Sequence, residues 1–164
     1  MSEAPAAFIK SSFMKSKLAV AVAAIFLVAL PAWASLGGDR ASIDADQLHL
    51  QGTRTTKAVE SYTVHEIQAA NGIVVREYVS PEGKVFAITW NGPWMPDLRQ
   101  LLAGYFEQYR TALQSRSGPR MARRPVAIEQ PGLVVQVGGH IRAFSGRAYV
   151  PDMLPSGVRA EEIQ

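Results

Sequence analysis

The sequence predicts an α+β domain: an antiparallel sheet of five or six strands (meander, then helix, then further strands) with one long amphipathic helix packed on one face. Three observations carry this. From Val59 to Trp90, β-branched and aromatic residues fall into three runs, separated by Asn71-Gly72 and by Pro81-Glu82-Gly83; both separators are strong turn chemistry. Leu98, Leu101, Leu102, Tyr105, Tyr109 and Ala112 then recur at helical spacing, with Phe106 and Leu113 flanking the stripe. Strand-like runs resume at Pro125.

Residues 1–34 precede that domain and have the layout of a cleavable secretory signal peptide. Lys10, Lys15 and Lys17 form a positive n-region, and Leu18 to Leu30 (LAVAVAAIFLVAL) is an unbroken apolar run of 13 residues. A membrane-spanning helix needs about 20 such residues, so the run is too short to persist as an anchor. Pro31 ends it, and Ala32 and Ala34 set small residues at the −3 and −1 positions for cleavage before Ser35. Met14 offers an alternative start to Met1, with Met14-Lys15-Ser16-Lys17 as a shorter n-region. The expected product is periplasmic or secreted, with no membrane span once the leader is gone.

Cleavage changes the electrostatics. Loss of Lys10, Lys15, Lys17 and Glu3 takes the net charge from +3 to +1. A near-neutral body makes no general case for nucleic-acid binding. The local exception is the run Arg110, Arg116, Arg120, Arg123 and Arg124, which reads as a solvated basic connector. The chain has no cysteine, so disulfides, thiolate metal sites and the lipid-attachment cysteine of a lipoprotein are excluded. The core alone must hold the fold.

Residues 35–58 form an N-terminal segment of weak pattern. Asp39 can cap a short helix through Leu50, with Ile43, Gln47 and Leu50 on one face, and Gly52 to Lys57 reads as linker. A single α+β domain follows over residues 59–164. Its strands are Val59 to Gln68, Ile73 to Ser80 and Val85 to Trp90. With even-numbered loops at both turns, one face carries Tyr62, Val64, Ile73, Val75, Val79, Phe86, Ile88 and Trp90, with Glu66 and Glu77 as its acidic exceptions. The other carries His65, Ile67, Val74, Arg76, Tyr78, Val85 and Thr89 and is mixed in character. Asn91 to Pro96 is a stiff loop leading to the helix, where Asp97 is the N-cap and Gln100 completes a capping box. Ser115 to Arg124 connects to strands at Pro125 to Glu129 and Leu133 to Val137. A turn at Gly138-Gly139 leads to a last strand, His140 to Val150, weakened by Gly146.

Several of these blocks act together as a signature. They are Leu36-Gly37-Gly38 after the leader, GIVVREYV at Gly72 to Val79, GKVFAITW at Gly83 to Trp90, Gly92-Pro93, Pro96-Asp97-Leu98 with Leu101-Leu102, and GHIRAFSGRAYVP at Gly139 to Pro151. In these the chain resembles a proteobacterial family of exported proteins, domain of unknown function two-eight-four-four, over nearly the whole mature length. The resemblance implies a bacterial envelope protein of this size and carries over no activity, ligand or catalytic residue.

No catalytic or cofactor motif is complete. His65-Glu66 lacks the second histidine of a zinc-protease helix, and Ser145 lacks the leading glycine of a nucleophile elbow. Asp44-Ala45-Asp46 lacks the glycine and distal glutamate of a calcium loop. His65 and His140 could reach a metal with Asp44 or Asp46 only if the fold made them neighbours. No catalytic, metal or cofactor residue is therefore assigned. The candidate binding residues are His65, Arg76 and Tyr78, expected to cluster on the mixed face, and Trp94 on the proline-bounded loop. The expected function is a non-enzymatic periplasmic interaction or accessory module whose partner is an envelope protein or cell-surface component. The alternatives are a small envelope hydrolase using Glu66 and Glu77, and a small-ligand or metal carrier.

Overall fold

The computed structural model describes residues 35–116 and 125–164. The leader, its residues Ala32 and Ala34, and most of the basic connector lie outside them.

Helix α1 (Arg40–Leu50) starts where Asp39 caps it, Oδ1 accepting from the Ala41 and Ser42 amides at 3.0 and 3.3 Å. Four strands follow: β1 (Gly52–Val59), β2 (Tyr62–Ala69), β3 (Val74–Val79) and β4 (Val85–Gly92). A helical run comes next, α2 (Leu98–Leu102), a 3-10 turn (Ala103–Tyr105) and α3 (Phe106–Ser115). Strands β5 (Val126–Gln130), β6 (Leu133–His140) and β7 (Ala143–Tyr149) precede a tail with 3-10 turns at Pro151–Met153 and Ala160–Glu162. All seven strands form one antiparallel sheet in the order β1-β2-β3-β4-β7-β6-β5.

The sheet thus has seven strands rather than five or six. The additional one is β1, where a linker was expected. Its sequence, GTRTTKAV, is rich in β-branched residues but shows no apolar alternation, because it is an edge strand exposed along most of its length. At the other end, β6 runs through Gly138-Gly139 to His140, and the turn is Ile141-Arg142. Gly139 serves close strand approach: a Cβ there would lie 2.1 Å from the Ala143 carbonyl oxygen.

Loop parity decides which side chains share a face. The β2–β3 loop has an odd number of residues: the Ala69 amide donates to the Ile73 carbonyl at 2.8 Å, leaving Ala70-Asn71-Gly72 outside, with Gly72 at φ 85°. Even loops had been expected, so β2 is turned over relative to that expectation. The β3–β4 loop is also odd, but a bulge between Tyr78 and Val79 restores the register and moves Phe86 to the opposite face. The face under the helices therefore carries His65, Ile67, Ala69, Val75, Glu77, Val79, Val85, Ile88 and Trp90, continued by Ala148, Val135, Leu133 and Ile128.

Ile43 of α1 and Leu101, Leu102, Tyr109 and Ala112 of the helical run close this main core. At about 1.5–3 kcal/mol for each large side chain fully buried, it is the dominant stabilising layer. The expected single helix is broken at Ala103, whose φ of 43° lies in the left-handed region. Leu101-Leu102 before the break and Tyr109-Ala112 after it are both buried against the sheet. On the far side Tyr62, Tyr78 and Phe86 pack with centroids 5.8–6.2 Å apart. Ile163 of the tail covers them.

Gly146 on β7 is required by Trp90, since a Cβ there would sit 2.2 Å from the indole ring. Gly146→Ala is expected to cost about 1–3 kcal/mol by overpacking, read by urea unfolding. Combination with Trp90→Phe should recover part of that loss in a double-mutant cycle.

Candidate functional site

A group of buried ionisable side chains lies beneath α1. Ile43 and Asp46 project inward at helical spacing, and Asp46 is 0% exposed. Its Oδ2 accepts from Ser35 Oγ at 3.1 Å and its Oδ1 from Gln100 Nε2 at 2.8 Å. Gln100 is thus drawn inward and does not complete a capping box; Asp97 alone caps α2, accepting from the Arg99 and Gln100 amides. From the sheet, Glu77 meets this site between Val75 and Val79, also at 0% exposure. Neither Glu77 oxygen has a partner at full hydrogen-bond geometry, although its carboxyl is close enough to Asp46 to share a proton.

The rim is polar too. His65 lies directly across β2–β3 from Glu77, its Nδ1 3.1 Å from Thr56 Oγ1 and its Nε2 buried without a partner. Outside it, Arg54 and Asp44 form an ion pair of 2.5 Å.

Burial sets the protonation. It pushes Glu77 well above the ordinary value of 4.5, and the Asp46 carboxyl pushes it further. Burial also raises Asp46, opposed by its hydrogen bonds with Glu77, Gln100 and Ser35. The two therefore titrate as a pair that retains a proton. His65 is lowered, first by burial and then by the Arg54 and Arg40 guanidiniums, which favours the neutral ring. Buried carboxyls without access to solvent can store a proton but cannot meet a substrate.

The residues predicted to cluster separate. His65 is on the helix face, whereas Arg76 and Tyr78 are on the outer face, a direct result of the odd β2–β3 loop. Arg76 forms a 2.7 Å ion pair with Glu66 opposite it. Tyr78 is enclosed by Tyr62, Phe86 and Ile163, and its hydroxyl bonds the Gln164 backbone. Glu66 and Glu77 lie on opposite faces and make no acid pair. His140 sits at the exposed end of β6, with three strands between it and the strand of His65, and among the described residues no three His, Asp or Glu side chains are placed to hold a metal.

Trp94 is 58% exposed. Its loop follows Gly92, which pairs with Phe144 of β7, so it lies at the sheet end that also carries the β6–β7 turn. There Ile141 is 84% and Met95 38% exposed. The outer face also has a shallow pocket of about 300 Å³ lined by Thr89, Gln136, Ser145, Arg147 and Gln164. Arg147 is engaged by Gln136 Oε1 at 2.9 Å and the Ala160 carbonyl at 2.7 Å.

The acid pair gives a pH dependence. While Ser35 is joined to Ala34 by a neutral amide, the raised Glu77 pKa means the folded chain holds a proton that the unfolded chain releases near pH 4.5. Its contribution is therefore fully present below that pH and is lost as pH rises through the folded value. In the uncleaved chain, Glu77→Gln should flatten this slope and raise Tm by several degrees at pH 8, with little change at pH 4.

No curated protein and no solved structure matches the chain. Residues 32–163, which span every element described above, match the family described as protein of unknown function DUF2844. The chain belongs to that family.

Proposed function

We propose that this is an exported bacterial envelope protein that works by binding an envelope protein or cell-surface component rather than by catalysis. The observation that carries the reading is a contrast of exposure. The paired carboxyls of Asp46 and Glu77 are sealed at 0%, while Trp94 and Ile141 stand at 58% and 84% on one sheet end. Exposed apolar side chains gathered at one place on a surface favour a partner that covers them, and Trp is among the side chains most enriched at interface anchors. The loop is stiffened by Pro93 and Pro96, and Pro93 lies against Gly72 of the β2–β3 turn, so little entropy is lost on docking.

Export is supported by the residue pattern of positions 1–34. Among the described residues no helix is long and apolar enough to cross a membrane. A second reading, carriage of a small ligand, is favoured by the outer-face pocket, where Thr89 Oγ1 is buried without a partner.

A photocrosslinking amino acid at position 94, incorporated in living cells, should capture one defined envelope component. The same probe at Lys57, on the exposed edge strand, should not. Trp94→Ala with Ile141→Ala should reduce co-purification of that component about tenfold or more and leave Tm nearly unchanged, as for other exposed sites. Undiminished co-purification would place the binding surface elsewhere.

A further inference from the structure

The buried acid pair is short of donors. Asp46 has one donor on each oxygen, whereas the Glu77 oxygens, sealed from solvent, have only the Asp46 carboxyl close enough to share a proton with. Around them, His49 on α1, Arg54 on β1 and His65 on β2 are the nearest basic groups, and none bonds either carboxyl. A pair of this kind either keeps a proton, as it does beside a neutral amide, or takes in a cation or further donors.

Ser35 is already there. Its Oγ donates to Asp46 and also contacts the Gln100 carbonyl oxygen, and covalent geometry holds its backbone nitrogen roughly 3–4 Å from that Oγ. The next residues are locked in place. Leu36 N donates to Leu101 O at 3.1 Å, Gly37 N to Val85 O at 2.8 Å, and Val85 N to Gly38 O at 3.0 Å. Glycine is needed at both positions: Gly37 has φ 83°, and a Cβ on Gly38 would lie 2.4 Å from Ser42 Oγ. Ser35 itself has φ 133°, a region that non-glycine residues avoid. That strain depends on the preceding carbonyl group and ends when the bond to it is cut.

We propose that the Asp46–Glu77 pair is the receptor for the chain's own processed N-terminus, the Ser35 α-ammonium. This rests on the export reading above, with cleavage at Ala34–Ser35. Water adds across that amide: the C–N bond breaks, a C–O bond forms to give the Ala34 carboxylate, and the released Ser35 amine takes up the proton. A neutral amide is thereby replaced by a cation on the residue whose Oγ already bonds Asp46. Processing completes a buried ion pair that joins the N-terminus to α1 and β3, so the folded domain is fully stabilised only after the leader has gone.

The test uses the full chain expressed for export, with the processed protein isolated and its N-terminus read by intact mass. A second chain carries one alanine inserted between Ala34 and Ser35, which displaces the ammonium by a residue when cleavage still follows Ala34. The uninserted protein is expected to melt at least about 5 °C higher at pH 7. In the Asp46→Asn/Glu77→Gln background, and in Glu77→Gln alone, that gap should shrink. It should also close at pH well above the amine's ordinary range of about 7.7–8.0. Equal melting temperatures, or a gap that survives removal of both carboxyls, would overturn the pairing while leaving export intact. A mass showing an intact leader or another cleavage position would overturn the export reading and this inference with it.

Discussion

The pairing of β4 with β7 is the constraint on which the rest of the structure depends. Every other strand pairing joins neighbours in the chain, so β1 to β4 and β5 to β7 are two local meanders. Only the ladder from Ala87–Tyr149 to Gly92–Phe144 makes them one sheet. It places Ile88 beside Ala148 and lays Trp90 over Gly146, which continues the apolar row under both helices. Without it neither half has a surface wide enough to bury Leu101, Leu102 and Tyr109. The outer cluster depends on it too, because Tyr149 joins Phe86 and Tyr78 across the same ladder.

Much of this was legible in the residues. The class, the Asp39 and Asp97 caps, the meander and the strands after Pro125 follow from periodicity and turn chemistry. What failed did so for definite reasons. Loop parity is invisible in composition: Asn71-Gly72 suits a two-residue turn, yet the chain uses three residues and turns β2 over, which separates His65 from Arg76 and Tyr78. Strand β1 was missed because an exposed edge carries no apolar alternation to read. Trp94 stands out in the sequence as a large side chain between two prolines, and it is exposed.

The buried carboxyls were harder to see. Asp46 belongs to the same helical stripe as Ile43, and Glu77 alternates with Val75 and Val79, so both sit where the period demands an apolar residue. Such interruptions usually mark a group that is paired. Here the partners come from elements far apart in sequence, Ser35 and Gln100, which no local pattern connects. The site is accordingly a point where four segments are tied together: the start of the domain, α1, β3 and α2.

The sheet order also has a temporal meaning. Strand β7 lies inside the sheet between β4 and β6, and Ile163 closes the outer cluster, so both cores wait for segments that follow the first meander and the helices. The earlier meander and helices, complete by Ser115, present Ile88 and Trp90 along an edge with nothing beside it. A nascent chain of this design stays open until β7 and the segment through Ile163 are available. For a protein exported as proposed, that delay keeps the polypeptide threadable while it is being synthesised and moved, and lets the last strand act as the trigger for folding at the destination.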